Sequence, residues 1–254
     1  MYAIEYWDVT KHFSNSQTPA VDHVSASIRD GEFVTILGSS GCGKTTLLKM
    51  TNRLYEADGG QILVYGEDIA GTDAVLLRRR MGYVIQQVGL FPHMTVEENI
   101  TAIPSLLKWT KEKRAEKTVE LLKLVGLDPQ QFRSRFPHQL SGGQQQRIGL
   151  ARALVTDPKI LLMDEPFGAI DAINRLHLQN EMMQIQEELH KTVLLVTHDI
   201  NEAFKMGDRV MIMNEGKLLQ FDTPKNIVQH PAHPFVETLV RSARDQEAFW
   251  EDVL

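Results

Sequence analysis

A chain of 254 residues with 43% hydrophobic content is large enough for one sizeable core, or for a core with a lobe. Its net charge of −6 gives a nucleic-acid partner no electrostatic support, and its single cysteine excludes an internal disulfide framework and suits a reducing compartment. No apolar stretch reaches the roughly 18 residues that span a bilayer, and residues 1–8 lack the basic and apolar regions of a signal peptide. The chain is therefore expected to be soluble, with any membrane attachment supplied by another protein.

Residues 4–9 and 24–28 read as short strands, with turn chemistry over 15–19 between them. Residues 33–37 form a third strand, which runs into a Gly-rich loop and a helical segment from Thr46 to about Leu54. Residues 61–64 and 81–85 are further extended runs. From Gln86 to about Thr156 the character is helical. Thr95 and Glu98 have capping-box spacing, residues 111–124 form an amphipathic helix with apolar positions at 115, 119, 121, 122 and 124, and Gly126 is placed to end it. Continuous aliphatic runs at 160–163 and 193–196 suit parallel strands buried on both faces. Residues 209–213 and 217–221 flank Asn214-Glu215-Gly216, read as a three-residue hairpin turn. Because residues 38–45 read G-x-x-x-x-G-K-T between that third strand and the helix after it, the fold class expected is α/β, a phosphate-loop NTPase core with a mainly parallel sheet, an antiparallel β margin and an inserted helical lobe. Residues 1–85 and 157–229 are assigned to the core, 86–156 to the lobe and 230–254 to a helical tail.

The loop is Gly38-Ser39-Ser40-Gly41-Cys42-Gly43-Lys44-Thr45, which fits G-x-x-x-x-G-K-[ST] in the strand–loop–helix setting this motif needs. Its glycines let backbone N–H groups converge on phosphate oxygens. Lys44 is expected to reach the β- and γ-phosphates of ATP and the Thr45 hydroxyl to hold Mg²⁺. Thr46 is counted with the loop at the start of the helix. Cys42 occupies a variable position near a helix N-terminus, where a thiol's pKa tends to fall; it is not read as a catalyst, and alkylation in the empty site stays possible. Downstream, Asp164 ends the aliphatic strand 160–163, where phosphate-loop ATPases place an aspartate that helps hold Mg²⁺. Ser141 is a good N-cap, and Gly142 and Gly143 leave bare amides at the start of a helix, which makes an anion site.

Leu140-Ser141-Gly142-Gly143-Gln144, followed by Gln145-Gln146-Arg147, resembles the signature of ATP-binding cassette (ABC) ATPases. Residues 160–165 resemble that family's metal-binding strand, and Val196-Thr197-His198-Asp199 its switch histidine. The resemblance runs from about Ile4 to about Val240. It implies that Glu165 acts as general base on the attacking water, that His198 hydrogen-bonds the γ-phosphate and orients water or Glu165, and that Asp171 belongs to the loop that communicates across a dimer. Gln86 resembles the sensor glutamine that touches Mg²⁺ or water; Gln87 competes for that role, and Gln86 is preferred because residues 89–93 then fall at the family's usual offset. Phe13 stands where an aromatic stacks on adenine, with a core or surface aromatic as the other reading. Signature residues Ser141 to Gln144 would complete the ATP site of a second copy.

The resemblance further implies a head-to-tail homodimer with ATP at its interface, docked under two integral membrane permease subunits and served indirectly by an extracytoplasmic substrate-binding protein, at the cytoplasmic face of the membrane. No nucleic-acid partner is expected. Residues 84–96 and 106–109 resemble the osmoprotectant importers, which carry glycine betaine, carnitine or choline. Many of that branch carry paired regulatory modules after the cassette; none is read in this sequence, a departure that tells against osmotic or nucleotide regulation within this subunit. Importers of another small solute, exporters, and soluble ABC ATPases acting on DNA or ribosomes are the alternatives.

Overall fold

The computed structural model describes residues Met1 to Val253 apart from Asn15, Gln87, Val88 and Ala169, and side chains apart from those of Asn174 and residues 246–253. The expectations at Asn15, Gln87 and Val88 lie outside the described residues. Two compact units are present, one made of Met1–Leu77 with Thr192–Leu254, the other of Arg78–Lys191.

In chain order the elements are β1 (Tyr2–Lys11), β2 (Val21–Arg29), β3 (Phe33–Gly38), α1 (Lys44–Thr51), β4 (Gly59–Val64), β5 (Glu67–Asp68) and α2 (Ala74–Arg79). They continue with β6 (Met81–Val84), α3 (Val96–Ile100), α4 (Ala102–Leu106), α5 (Lys111–Leu124), α6 (Pro129–Phe132), α7 (Gly142–Leu154), β7 (Ile160–Asp164) and α8 (Ala172–Leu189). The chain closes with β8 (Thr192–Val196), α9 (Ile200–Met206), β9 (Arg209–Asn214), β10 (Lys217–Asp222), α10 (Pro224–Gln229) and α11 (Pro234–Val253). This is the α/β class expected. Among the described residues no helix is long and apolar enough to cross a membrane.

In the first unit β1 pairs antiparallel with β2 and β4, and β4 with β5, giving the antiparallel margin. The parallel part has β3 between β8 and β9, in the register Val34 to Leu194 and Ile36 to Met211. Every residue of β3 and β8 is buried, as suits near-continuous apolar runs in strands covered on both faces. Leu37, Val210 and Ile212 pack with Ala203 of α9, Ile227 of α10 and Val236 of α11. Each of the Val, Leu and Ile side chains contributes about 1.5–3 kcal/mol on full burial. That apolar layer seats β3, and the end of β3 is where the Gly-rich loop begins.

The β9–β10 connection corrects the sequence reading. Asn214 pairs with Lys217, so the turn is two residues rather than three, with Glu215 at φ +48 and Gly216 at φ +81. Two consecutive positive φ angles match the right-handed strand twist, as a primed turn does.

In the second unit β6 and β7 run parallel, Met81 beside Ile160 and Val84 beside Met163. Helix α5 has the bounds expected, with Thr110 as its N-cap, and Gly126 follows it at φ +67. Its most buried face, however, is Thr118, Leu121 and Leu122, continuing to Val125. Ala115, Val119 and Leu124 instead line an open groove of about 880 Å³. Three-residue and four-residue spacings overlap on a helix, so composition leaves two adjacent stripes eligible and packing selects one. The Thr95–Glu98 capping box is present, Thr95 accepting from the Glu98 amide at 3.3 Å and Glu98 from the Thr95 amide at 2.7 Å.

Candidate functional site

The Gly-rich loop leaves β3 at Gly38 and enters α1 at Lys44, two residues before the sequence placed the helix start. Gly43 takes φ +104, and a Cβ there would lie 2.0 Å from the Ala20 carbonyl oxygen, so only glycine fits. The loop is stitched in place by the Ser39 hydroxyl on Asn214 Oδ1 at 2.9 Å and by the Gly216 amide on the Cys42 carbonyl at 3.1 Å. Ser40 and Gly41 are exposed at its tip, while Thr45 and Thr46 are half-buried in the first turn of α1.

Lys44 is buried, and its ammonium donates to the Gly38 and Ser39 carbonyls at 2.8 and 2.9 Å. A buried cation held by neutral carbonyls gains strongly from an anion, so the loop suits a phosphate group that exchanges with those carbonyls. Cys42 is 4% exposed, its sulfur 3.9 Å from Lys44 Nζ. With the thiol buried, alkylation of the empty loop depends on movement of the loop that exposes it.

His198 follows β8 and is exposed. Sequence reasoning missed what holds its turn. The Thr197 hydroxyl donates to the carboxylate of Glu202, itself 5% exposed, and accepts the Asp199 amide at 3.1 Å. Asp199 caps α9 by accepting the Asn201 and Glu202 amides at 2.9 and 3.2 Å. Asp199 and Glu202 have N-cap and N3 spacing, the signal through which this was legible. Phe13 lies just beyond β1, half-buried, its ring in edge contact with Tyr55.

The second unit carries the other candidates. Asp164 ends β7 and is buried, and Glu165 follows it half-exposed at φ +46. A non-glycine residue there is strained, and such strain persists where surrounding structure over-determines it, often at functional positions. Gln86 leaves β6 and places Nε2 3.0 Å from Glu165 Oε2, joining residues 79 positions apart. The amide donor fixes the orientation of the carboxylate relative to the end of β6.

Ser141 caps α7 by accepting the Gln144 amide at 3.3 Å, and Gln144 Oε1 takes the Ser141 amide at 3.0 Å. The helix starts at Gly142, directly after this N-cap, and the reciprocal cap stabilises its first turn. Ser141 and Gly142 are exposed, with Gly143 half-buried behind them. Asp171, exposed, precedes α8 and receives the Arg175 amide on its carbonyl at 2.8 Å.

Comparison with known proteins bears on the whole chain. The family model described as ABC transporter matches residues 21–168. The carnitine transport ATP-binding protein OpuCA of Listeria monocytogenes is 51% identical over 96% of this chain and 61% of its own length. The glycine betaine uptake system ATP-binding protein YehX of Escherichia coli K12 is 46% identical over 92% of this chain and 75% of its own length. The chain thus spans 61% of the length of OpuCA. Among solved structures, a dimeric ATP-binding cassette in a post-hydrolysis state bound to ADP and Pi superposes with a TM-score of 0.76, at 32% identity over 87% of this chain and 98% of that one. With the phosphate loop, the capped signature helix and the Gln86–Glu165 pair in place, these likenesses show that the chain belongs to the ABC transporter family.

Proposed function

We propose that this chain is the ATP-hydrolysing subunit of a bacterial importer for quaternary-amine osmoprotectants. The observation that carries the hydrolytic part is the 3.0 Å bond from Gln86 to Glu165, which fixes a carboxylate one residue beyond the buried Asp164. Glu165 then polarises the attacking water, Lys44 and the loop amides hold the β- and γ-phosphates, and His198 contacts the γ-phosphate. Thr45, Asp164 and Gln86 are the residues that would hold Mg²⁺, which when bound neutralises phosphate charge. In this reading Phe13 stacks on adenine, and Ser141 to Gln144, with Asp171, serve the ATP of a second copy. Residues 86–156 form the helical lobe of a core built from 1–85 and 157–229.

The partner-facing part of the reading rests on residues 89–96 and 103–106. Phe91, 43% exposed, sits in a loop held by the buried Asn99, which accepts the Phe91 amide at 2.7 Å and donates to the Phe91, Met94 and Thr95 carbonyls at 3.0–3.1 Å. Ile103 and Leu106 are also exposed, at 39% and 79%. Exposed apolar side chains on this firmly held loop and on α4 suit docking to permease subunits at the cytoplasmic face of the membrane. The osmoprotectant assignment is supported by the names of the relatives above. The test is reconstitution with the cognate membrane subunits and binding protein: ATP hydrolysis should rise with betaine, carnitine or choline and vanish in Glu165→Gln. Hydrolysis indifferent to all three would overturn the substrate class, and hydrolysis surviving Glu165→Gln would overturn the mechanism.

A further inference from the structure

Phe13 is fixed from two directions by residues outside the phosphate loop. On one side its ring meets that of Tyr55 edge to face, with centroids 5.3 Å apart and planes at 80°. Tyr55 hangs from the end of α1: its amide and that of Leu54 donate to the Lys49 carbonyl at 3.3 and 2.8 Å, and Lys49 Nζ lies 5.7 Å from the centre of the Tyr55 ring. On the other side Lys11 Nζ lies 5.7 Å from the centre of the Phe13 ring and pairs with Asp58 at 2.8 Å. The second Asp58 oxygen accepts the His12 amide at 2.6 Å, and the Asp58 amide closes onto the Thr10 carbonyl at 2.9 Å.

The Asp58 turn reaches β1 only because residue 60 is glycine. Gly60 sits at φ +76, and a Cβ on it would lie 2.3 Å from the Asp8 carbonyl oxygen and 2.4 Å from that of Trp7. The Lys11 side chain, then the His12 amide, hold the Asp58 carboxyl below the usual carboxylate range, so the clamp is ionised at neutral pH.

We propose that Tyr55 and Asp58 are positioning residues for the nucleotide base, setting the ring of Phe13 against which the base stacks. This rests on the reading of Phe13 as the stacking aromatic. Helix α1 carries Lys44 and Thr45 at its start and holds Tyr55 through the Lys49 carbonyl near its end. One rigid element therefore sets the distance between the phosphate grip and the base platform. The consequence is selectivity: the clamp strengthens binding of a polyphosphate that carries a planar base and leaves a bare polyphosphate unaffected.

The test uses the full chain, with trinitrophenyl-ATP displaced by ATP or by inorganic tripolyphosphate. Phe13→Ala, Tyr55→Ala and Asp58→Ala should each weaken ATP roughly three- to tenfold, the scale of one aromatic pair, with tripolyphosphate unchanged. Tyr55→Phe should restore ATP affinity, since the ring and not the hydroxyl makes the contact. The Phe13→Ala/Tyr55→Ala double variant should bind ATP no more weakly than Phe13→Ala, because Tyr55 acts through Phe13. Wild-type ATP affinity in Tyr55→Ala and Asp58→Ala, beside a weakened Phe13→Ala, overturns the clamp and leaves the stacking role of Phe13 standing. No effect of Phe13→Ala overturns both. Equal weakening of ATP and tripolyphosphate also overturns it, since the residues would then support the fold of the loop and not the base.

Discussion

At the scale of single residues, two side chains divide the chemistry of the proposed function. Glu165→Gln keeps volume and hydrogen bonding but removes the carboxylate, so ATP should still bind while hydrolysis by the reconstituted transporter falls about 10²–10⁴-fold, the range for loss of a general base. Dimer accumulation on gel filtration in ATP is the companion readout, and near-normal turnover would reassign the base. Lys44→Ala acts on binding instead. The ammonium is buried against the Gly38 and Ser39 carbonyls, and its removal takes away the charge that favours an anion in the loop. ATP affinity should collapse while the far-ultraviolet circular dichroism spectrum stays native. Cys42 gives a reporter for the same loop. Its burial means maleimide labelling tracks loop opening, and Mg-ATP should slow it; identical labelling rates would count against a phosphate seated there.

At the scale of elements, the cap of α7 and the loop before α3 are held by side chains that can be removed singly. Ser141→Ala deletes the acceptor of the Gln144 amide and should cost about 1 kcal/mol in urea unfolding of the chain. Its amides are also the proposed anion site, so ATP-driven dimerisation should suffer more than stability does. Asn99→Ala breaks four bonds that hold residues 91–95. Buried groups left unpaired cost about 1–3 kcal/mol each when water cannot replace the partner. The expected outcome is a destabilised protein whose transport falls further than its ATP hydrolysis. Phe91→Ala makes the sharper separation, because the ring is exposed and its loss leaves the loop bonds intact: transport or permease co-purification should drop with basal hydrolysis retained. Unchanged transport would make Phe91 ordinary packing beside Arg152, whose guanidinium lies 6.0 Å from the ring centre.

At the scale of the whole molecule the prediction concerns cargo. An importer of quaternary amines needs a binding protein that encloses a trimethylammonium group between aromatic faces, since ring faces attract such cations. Isothermal titration of the cognate binding protein should show tight binding of betaine, carnitine or choline. Tight binding of a sugar or ordinary amino acid with none of a quaternary amine would remove the substrate class and leave the ATPase proposal intact.

What the sequence by itself determined is local. The strand–loop–helix around Gly38 to Thr45, the bounds of α5 from Lys111 to Leu124, the Thr95–Glu98 capping box and the positive φ of Gly126 all follow from dihedral preferences and bonds spanning a few residues. Those forces act between neighbours in the chain and are written in residue order. What only the tertiary structure decided depends on which strand ends meet. Gln86 reaches Glu165 across 79 positions because β6 and β7 run parallel and end side by side. Tyr55 meets the Phe13 ring, and Asp58 holds Lys11 and the His12 amide beside it, because β1 pairs with β4 and Gly60 permits close approach. The inward turn of Cys42, the return of Lys44 onto its own loop and the choice of the 118/121/122 stripe on α5 were likewise settled by packing. Side chains with several locally acceptable positions take the one that fills space and satisfies buried polar groups, and that selection exists only once distant segments are in contact.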